Sequence, residues 1–171
     1  QGQTLLGIAS VTMAFWFKQT GAVFAIGAIA YLLWRDGWRK AWPALGIALL
    51  LGPIAYAGGG LVLGPRFHYF TWEIPRQWTV LNLGTIRRLG GFIGKSYPLL
   101  AVPGLLIAAR SWQKDWRNNI WYAMLLVACI SGFMGALDPE SNNNVFIPMG
   151  VWFIIAGVLA FAELAKHKWG Q

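Results

Sequence analysis

Six apolar runs separated by polar stretches organise the chain, at about residues 4–17, 21–34, 44–63, 97–109, 120–136 and 145–164. A helix that crosses the hydrocarbon core of a bilayer needs about 20 residues, within a range of about 17–25. The third, fifth and sixth runs have that length. The second and fourth are shorter, which implies either extension by flanking residues or a thinned, water-filled membrane beside them. None alternates apolar and polar positions in the manner of a membrane barrel strand. Hydrocarbon offers no water to unpaired backbone groups, so helices are the form these runs must take. The pattern predicts an all-α, polytopic membrane bundle of about six transmembrane helices, with residues 1–171 as a single transmembrane domain.

The stretch 64–96 is read as an outer interfacial segment within that domain. At 100° per residue, Trp78, Leu81, Ile86, Leu89, Phe92 and Ile93 fall within an arc of about 140°. Arg76 and Arg87 point to the opposite side, with Arg88 and Lys95 on a flank. Such a helix is expected to lie along the membrane surface. Gly90, Gly91 and Gly94 then weaken it before Pro98, where the fourth span would begin.

Composition sharpens the membrane assignment. The chain is 57% hydrophobic and 12% charged, against about a quarter charged in an ordinary soluble domain. The formal charge of +8 would suggest nucleic acid in a soluble protein. Here the basic residues sit between apolar runs, so topology and membrane lipids account for them and nucleic acid is not expected as a partner. Arg35, Arg39 and Lys40, then Arg110, Lys114 and Arg117, then Lys166 and Lys168 fall on one side of a six-span arrangement. The opposite loop, 138–144, has no basic residue. The positive-inside tendency makes the first side cytoplasmic and the chain a multi-pass plasma-membrane protein. Arg66, Arg76, Arg87, Arg88 and Lys95 lie on the outer side, in a stretch long enough to count less in that rule. Ten of the eleven tryptophans sit at or near the ends of apolar runs, Trp152 being the exception, and amphipathic indoles favour that level. Cys129, the single cysteine, lies inside an apolar run and reads as an inert thiol. The chain opens at Gln1 without a basic stretch before its first apolar run; it is read as the carboxy-terminal part of a longer membrane enzyme.

Three places carry candidate chemistry. The first is Phe17-Lys18-Gln19-Thr20, between two runs on the outer side. An ammonium at the membrane edge suits an anion such as phosphate, or it is a snorkelling lysine in a tight turn. The second is Gly64 to Glu73, with Arg66, Phe67, His68, Tyr69 and Phe70 at its centre. Aromatic rings with hydrogen-bonding groups suit a sugar or lipid head group, Arg66 suits phosphate, and His68 is a candidate general base. Aromatic residues also settle at any interface. The third is Asp138-Pro139-Glu140-Ser141-Asn142-Asn143-Asn144. It could coordinate a divalent cation or hydrogen-bond sugar hydroxyls, or it is an ordinary turn. No nucleophile elbow, phosphate-cradling glycine loop, zinc-protease signature or dinucleotide fingerprint occurs.

In order and spacing these features resemble the membrane glycosyltransferases that use a polyprenyl-phosphate sugar donor and share the C-type fold, such as protein O-mannosyltransferases and aminoarabinose transferases. The resemblance rests on Phe17-Lys18-Gln19-Thr20, then Trp34-Arg35-Asp36-Gly37-Trp38-Arg39-Lys40, then Arg66-Phe67-His68-Tyr69-Phe70, then Asp138 through Asn144-Val145-Phe146-Ile147-Pro148. The late loop carries more asparagines than the family's, and its acidic residues precede them across a proline. The family's paired catalytic carboxylates lie in an early outer loop, and nothing before Lys18 could supply them. The resemblance therefore implies that the catalytic residues lie upstream of this chain, with a divalent metal ion whose ligands are mostly outside it. It implies a lipid-linked sugar donor, with Lys18 near its phosphate and Asn142, Asn143 and Asn144 near the lipid or sugar. Gln19, Arg66, His68 and Tyr69 complete the expected donor-binding set. The expected function is sugar transfer from a polyprenyl-phosphate carrier to an acceptor at the outer face of the membrane. The alternatives are a noncatalytic transport or channel-like subunit and a structural membrane subunit.

Overall fold

The structure, a computed structural model, describes residues 2–18, 20–77, 83–96, 120–138 and 143–169. The fourth apolar run, 97–109, lies outside them, as do Trp78, Leu81, Gln19, Glu140 and Asn142. All regular structure among the described residues is helical, with no strand. The other five apolar runs all become helices. Two of these helices, Trp38–Leu63 and Asn144–Ala162, are long and apolar enough to cross a membrane; Gly2–Phe17 and Ile120–Ala136 are shorter apolar helices. Contacts divide the chain into two compact units, residues 1–81 with 137–140, and residues 82–136 with 141–171. The segment 64–96 is shared between them.

The first unit begins with a hairpin of α1 (Gly2–Phe17) and α2 (Gly21–Asp36). Its turn is closed by the Lys18 N–H on the Ala14 carbonyl at 3.0 Å and the Gly21 N–H on the Lys18 carbonyl at 2.8 Å. Gly21 starts α2 so close to α1 that a Cβ there would lie 2.5 Å from the Ala14 carbonyl carbon. Gly37, at φ 78°, reverses the chain into α3 (Trp38–Leu49). A π-helical turn over Leu50–Ile54 joins α3 to α4 (Ala55–Leu63). These 26 residues form one rod of about 39 Å at 1.5 Å per residue. Ala41, Ala44, Ala48 and Gly52 are its buried residues, and a Cβ on Gly52 would touch the Thr12 methyl of α1 at 3.6 Å. Thr12, buried in α1, spends its hydroxyl proton on the Ile8 carbonyl at 2.8 Å, so no polar group is orphaned at that crossing.

The second unit packs α7 (Leu83–Ser96), α8 (Ile120–Ala136) and α9 (Ile147–Trp169) around Leu125, Phe146, Met149 and Phe153, all 1% exposed or less. Glycines set the α8–α9 approach: a Cβ on Gly132 would lie 2.9 Å from Met149 Sδ, and one on Gly135 would lie 2.7 Å from Val145 Cβ. The amphipathic arc expected on a membrane surface is divided in use. Leu89, Phe92 and Ile93 pack against this core, with Phe92 stacked on Phe146 at 4.5 Å and the Arg88 guanidinium 5.5 Å from the same ring. Ile86 stays exposed.

Candidate functional site

The chemistry-bearing residues of the first unit gather where α4 ends. Gly64 takes φ 78° and ψ −172°, and Pro65, whose fixed φ suits the first helical position, opens α5 (Pro65–His68). The chain thereby folds back along α4. Gly59 leaves room for the Phe67 ring, which would lie 3.3 Å from a Cβ there. The Phe67 ring centre sits 5.1 Å from that of Tyr56 and 6.5 Å from that of Trp16. A second π-helical turn, Tyr69–Glu73, leads into α6 (Ile74–Gln77) and ends with the Ile74 N–H on the Tyr69 carbonyl. Pro75 follows; its ring would collide with the carbonyl four residues back in a regular helix, and the widened turn precedes it. Such turns recur at functional sites.

Folding back brings four polar side chains together. Tyr56 Oη lies 2.7 Å from Thr71 Oγ and 3.4 Å from His68 Nδ1. The Thr71 hydroxyl donates to the Phe67 carbonyl at 2.6 Å. On the far side of the imidazole, Nε2 lies 3.5 Å from Glu73 Oε1. Tyr56 and Thr71 are half-buried, whereas the side chains of His68 and Glu73 are 55% and 42% exposed. The ring thus has a polar neighbour at each nitrogen and stays more than half exposed.

Lys18 and Arg66 are exposed at this same end of the unit, as the Trp16–Phe67 contact requires. Among the described residues neither forms an ion pair. Tyr69, Phe70 and Trp72 are exposed beside them. At the other end, Arg35 grips Asp36 through Nη2···Oδ2 at 2.6 Å and Nε···Oδ1 at 3.0 Å. That hydrogen bonding holds the Asp36 carboxyl below the usual range and raises the guanidinium in turn.

Of the residues singled out from sequence, Lys18, Arg66, His68 and Tyr69 share one end of the first unit. Gln19 and Asn142 fall outside the described residues. Asn143 and Asn144 belong to the second unit, in a 3-10 turn over Asn143–Phe146 that the buried Val145 and Phe146 anchor, with Asn144 exposed. Among the described residues, no group of three or more His, Cys, Asp or Glu gathers to hold the divalent cation that the resemblance implies. Sequence reasoning missed Tyr56. The available signal was a phenol inside an apolar run, since a buried tyrosine hydroxyl usually has a partner.

Compared with protein-family models, curated proteins and solved structures, the chain matches none.

Proposed function

We propose that this chain is the donor-binding part of a polytopic plasma-membrane glycosyltransferase of about six spans, and that its first unit binds the phosphate of a polyprenyl-phosphate sugar at the outer membrane face. The observation that carries this reading is the pair Lys18 and Arg66, exposed cations at one end of the first unit without a carboxylate partner among the described residues. A cation at the membrane edge is favourable where an anion meets it, and guanidinium and ammonium are the side chains that bind phosphate oxygens. Exposed Tyr69 and Trp72 beside them suit the level of the head groups and the faces of a sugar. A leaving phosphate gains charge in sugar transfer, so cations held in place before the reaction would favour the transition state.

The test is binding of a polyprenyl phosphate by the full chain in lipid nanodiscs, measured by native mass spectrometry against the uncharged polyprenol. The phosphate is expected to bind more tightly. Lys18→Ala and Arg66→Ala should each weaken it about ten- to a hundredfold, in line with roughly 1.5–3 kcal/mol for a hydrogen bond to a charged group. Equal binding of phosphate and alcohol, or an unaffected double variant, would sink the proposal.

A further inference from the structure

Three successive contacts fix where the protons of the Tyr56 network lie. The Phe67 carbonyl can only accept, and 2.6 Å is too short for two lone pairs, so the Thr71 proton lies between them. Thr71 Oγ, its proton used, must accept at 2.7 Å from Tyr56, and the phenol is the donor. The phenol proton is then used as well, so Tyr56 Oη can meet His68 Nδ1 at 3.4 Å only as an acceptor. Neutral imidazole has a single N–H; Glu73 at 3.5 Å from Nε2 competes for it but makes an ion-pair contact without a hydrogen bond, whereas Nδ1 meets a hydrogen-bonding partner that can only accept, so the chain of donors draws the proton to Nδ1.

We infer that neutral His68 is held as its Nδ1–H tautomer, which leaves the in-plane lone pair of Nε2 as a proton-accepting site for a hydroxyl-bearing molecule or water at the exposed edge of the ring. Proton uptake there is balanced: an O–H bond breaks, its electron pair stays on oxygen, and an N–H bond forms at Nε2. The product carries N–H on both nitrogens, one on Tyr56 and the other facing Glu73 at 3.5 Å. Tyr56 and Thr71 are positioning residues. The charged groups beside the ring are Glu73, 3.5 Å from Nε2, and Arg66, two residues before it in α5 and not bonded to it; α4 contributes the Tyr56 phenol. The inference does not depend on what Lys18 and Arg66 bind.

Ring-15N NMR of the full chain in lipid nanodiscs tests it, with the His68 signals identified by their loss in His68→Gln and so separated from those of His167. At about pH 9, above the ordinary imidazole range, the wild-type ring should carry its proton on Nδ1 with Nε2 bare. Thr71→Val releases the phenol proton for Nδ1 and should move the ring proton to Nε2; Thr71→Ser should restore the wild-type pattern. A wild-type neutral ring protonated at Nε2, or a Thr71→Val ring identical to wild type, overturns the assignment. Should Thr71→Val fail to fold, the wild-type spectrum decides alone.

Discussion

Trp16 donates its indole N–H to the Leu51 carbonyl at 2.8 Å, across 35 residues of sequence. The acceptor is available because of the π-helical turn around Pro53. There the Ala55 N–H bonds the Leu50 and Gly52 carbonyls and passes over that of Leu51, its partner in a regular α-helix. In a helix this apolar, a carbonyl left over has few other partners to turn to. Trp16→Phe should therefore destabilise the protein by about 1–3 kcal/mol, read from unfolding in detergent. Pro53→Ala permits a regular helix in which Ala55 takes the Leu51 carbonyl. In that background Trp16→Phe should cost much less, and a double-mutant cycle measures the coupling. Additive effects would mean that the indole bond is not compensating the proline.

Glycine substitutions should separate into two groups. A Cβ at Gly21 would lie 2.5 Å from Ala14 backbone and one at Gly135 would lie 2.7 Å from Val145. Gly21→Ala and Gly135→Ala should each cost about 1–3 kcal/mol or more, as overpacking does. Gly46 and Gly90 have nothing within 4 Å of a built Cβ. Gly46→Ala and Gly90→Ala should be neutral or stabilising by about 0.5–1 kcal/mol, the helix-propensity difference. Thermal unfolding of the four variants checks the split.

Asp36 gives the acid limb of stability a defined sign. Its hydrogen bonds from Arg35 lower its folded-state pKa from the ordinary value of 3.8. The folded protein therefore binds this proton less readily than the unfolded chain. The contribution is complete above the unfolded value and is lost as pH falls through the lower folded one. Both side chains are partly exposed, so the effect is small and screened by salt. Asp36→Asn should be slightly less stable than wild type at pH 7, and the difference should shrink as pH falls below the ordinary carboxyl range. A difference that grew in acid would contradict the assignment.

Among the described residues hydropathy was enough to say which runs become helices, because lipid and a packed core both demand intrahelical bonding of apolar backbone. It could not say what covers an apolar face. The arc of Leu89, Phe92 and Ile93 satisfies a membrane surface and a protein core alike, and it meets the Phe146 core. The fold-back at Gly64 was equally illegible. Gly-Pro marks a turn but not the direction in which the chain leaves it, and only that direction brings Thr71 level with Tyr56. Counting spans placed Lys18 and Arg66 on one side although their charge argues against that side; the Trp16–Phe67 contact brings their chain neighbours together.

The shared end of Lys18 and Arg66 has a direct test. On a Cys129→Ala background, Lys18→Cys and Arg66→Cys should react with a membrane-impermeant thiol reagent from one face of oriented vesicles, and Arg39→Cys from the other. Arg39 lies in the first turn of α3, at the far end of the 26-residue rod from Leu63. The rod, at about 39 Å, exceeds the roughly 30 Å hydrocarbon core. Labelling of Lys18→Cys and Arg66→Cys from opposite faces would refute the shared end.

Gly64 is the position on which the folded-back segment turns. Its φ of 78° with ψ of −172° lies in a region essentially reserved for glycine, where another residue costs about 1–3 kcal/mol. Gly64→Ala should relieve that strain by releasing 65–77 from α4. Hydrogen exchange should then quicken across 65–77 while the α1–α2 hairpin keeps its protection, because the hairpin turn is closed by bonds that do not involve Gly64. The Tyr56–Thr71 contact depends on the same turn, so the proton on the His68 ring should lose its preference for Nδ1 in the same variant. Faster exchange with an unchanged His68 tautomer would separate the two effects and show that the ring is held by something other than α4.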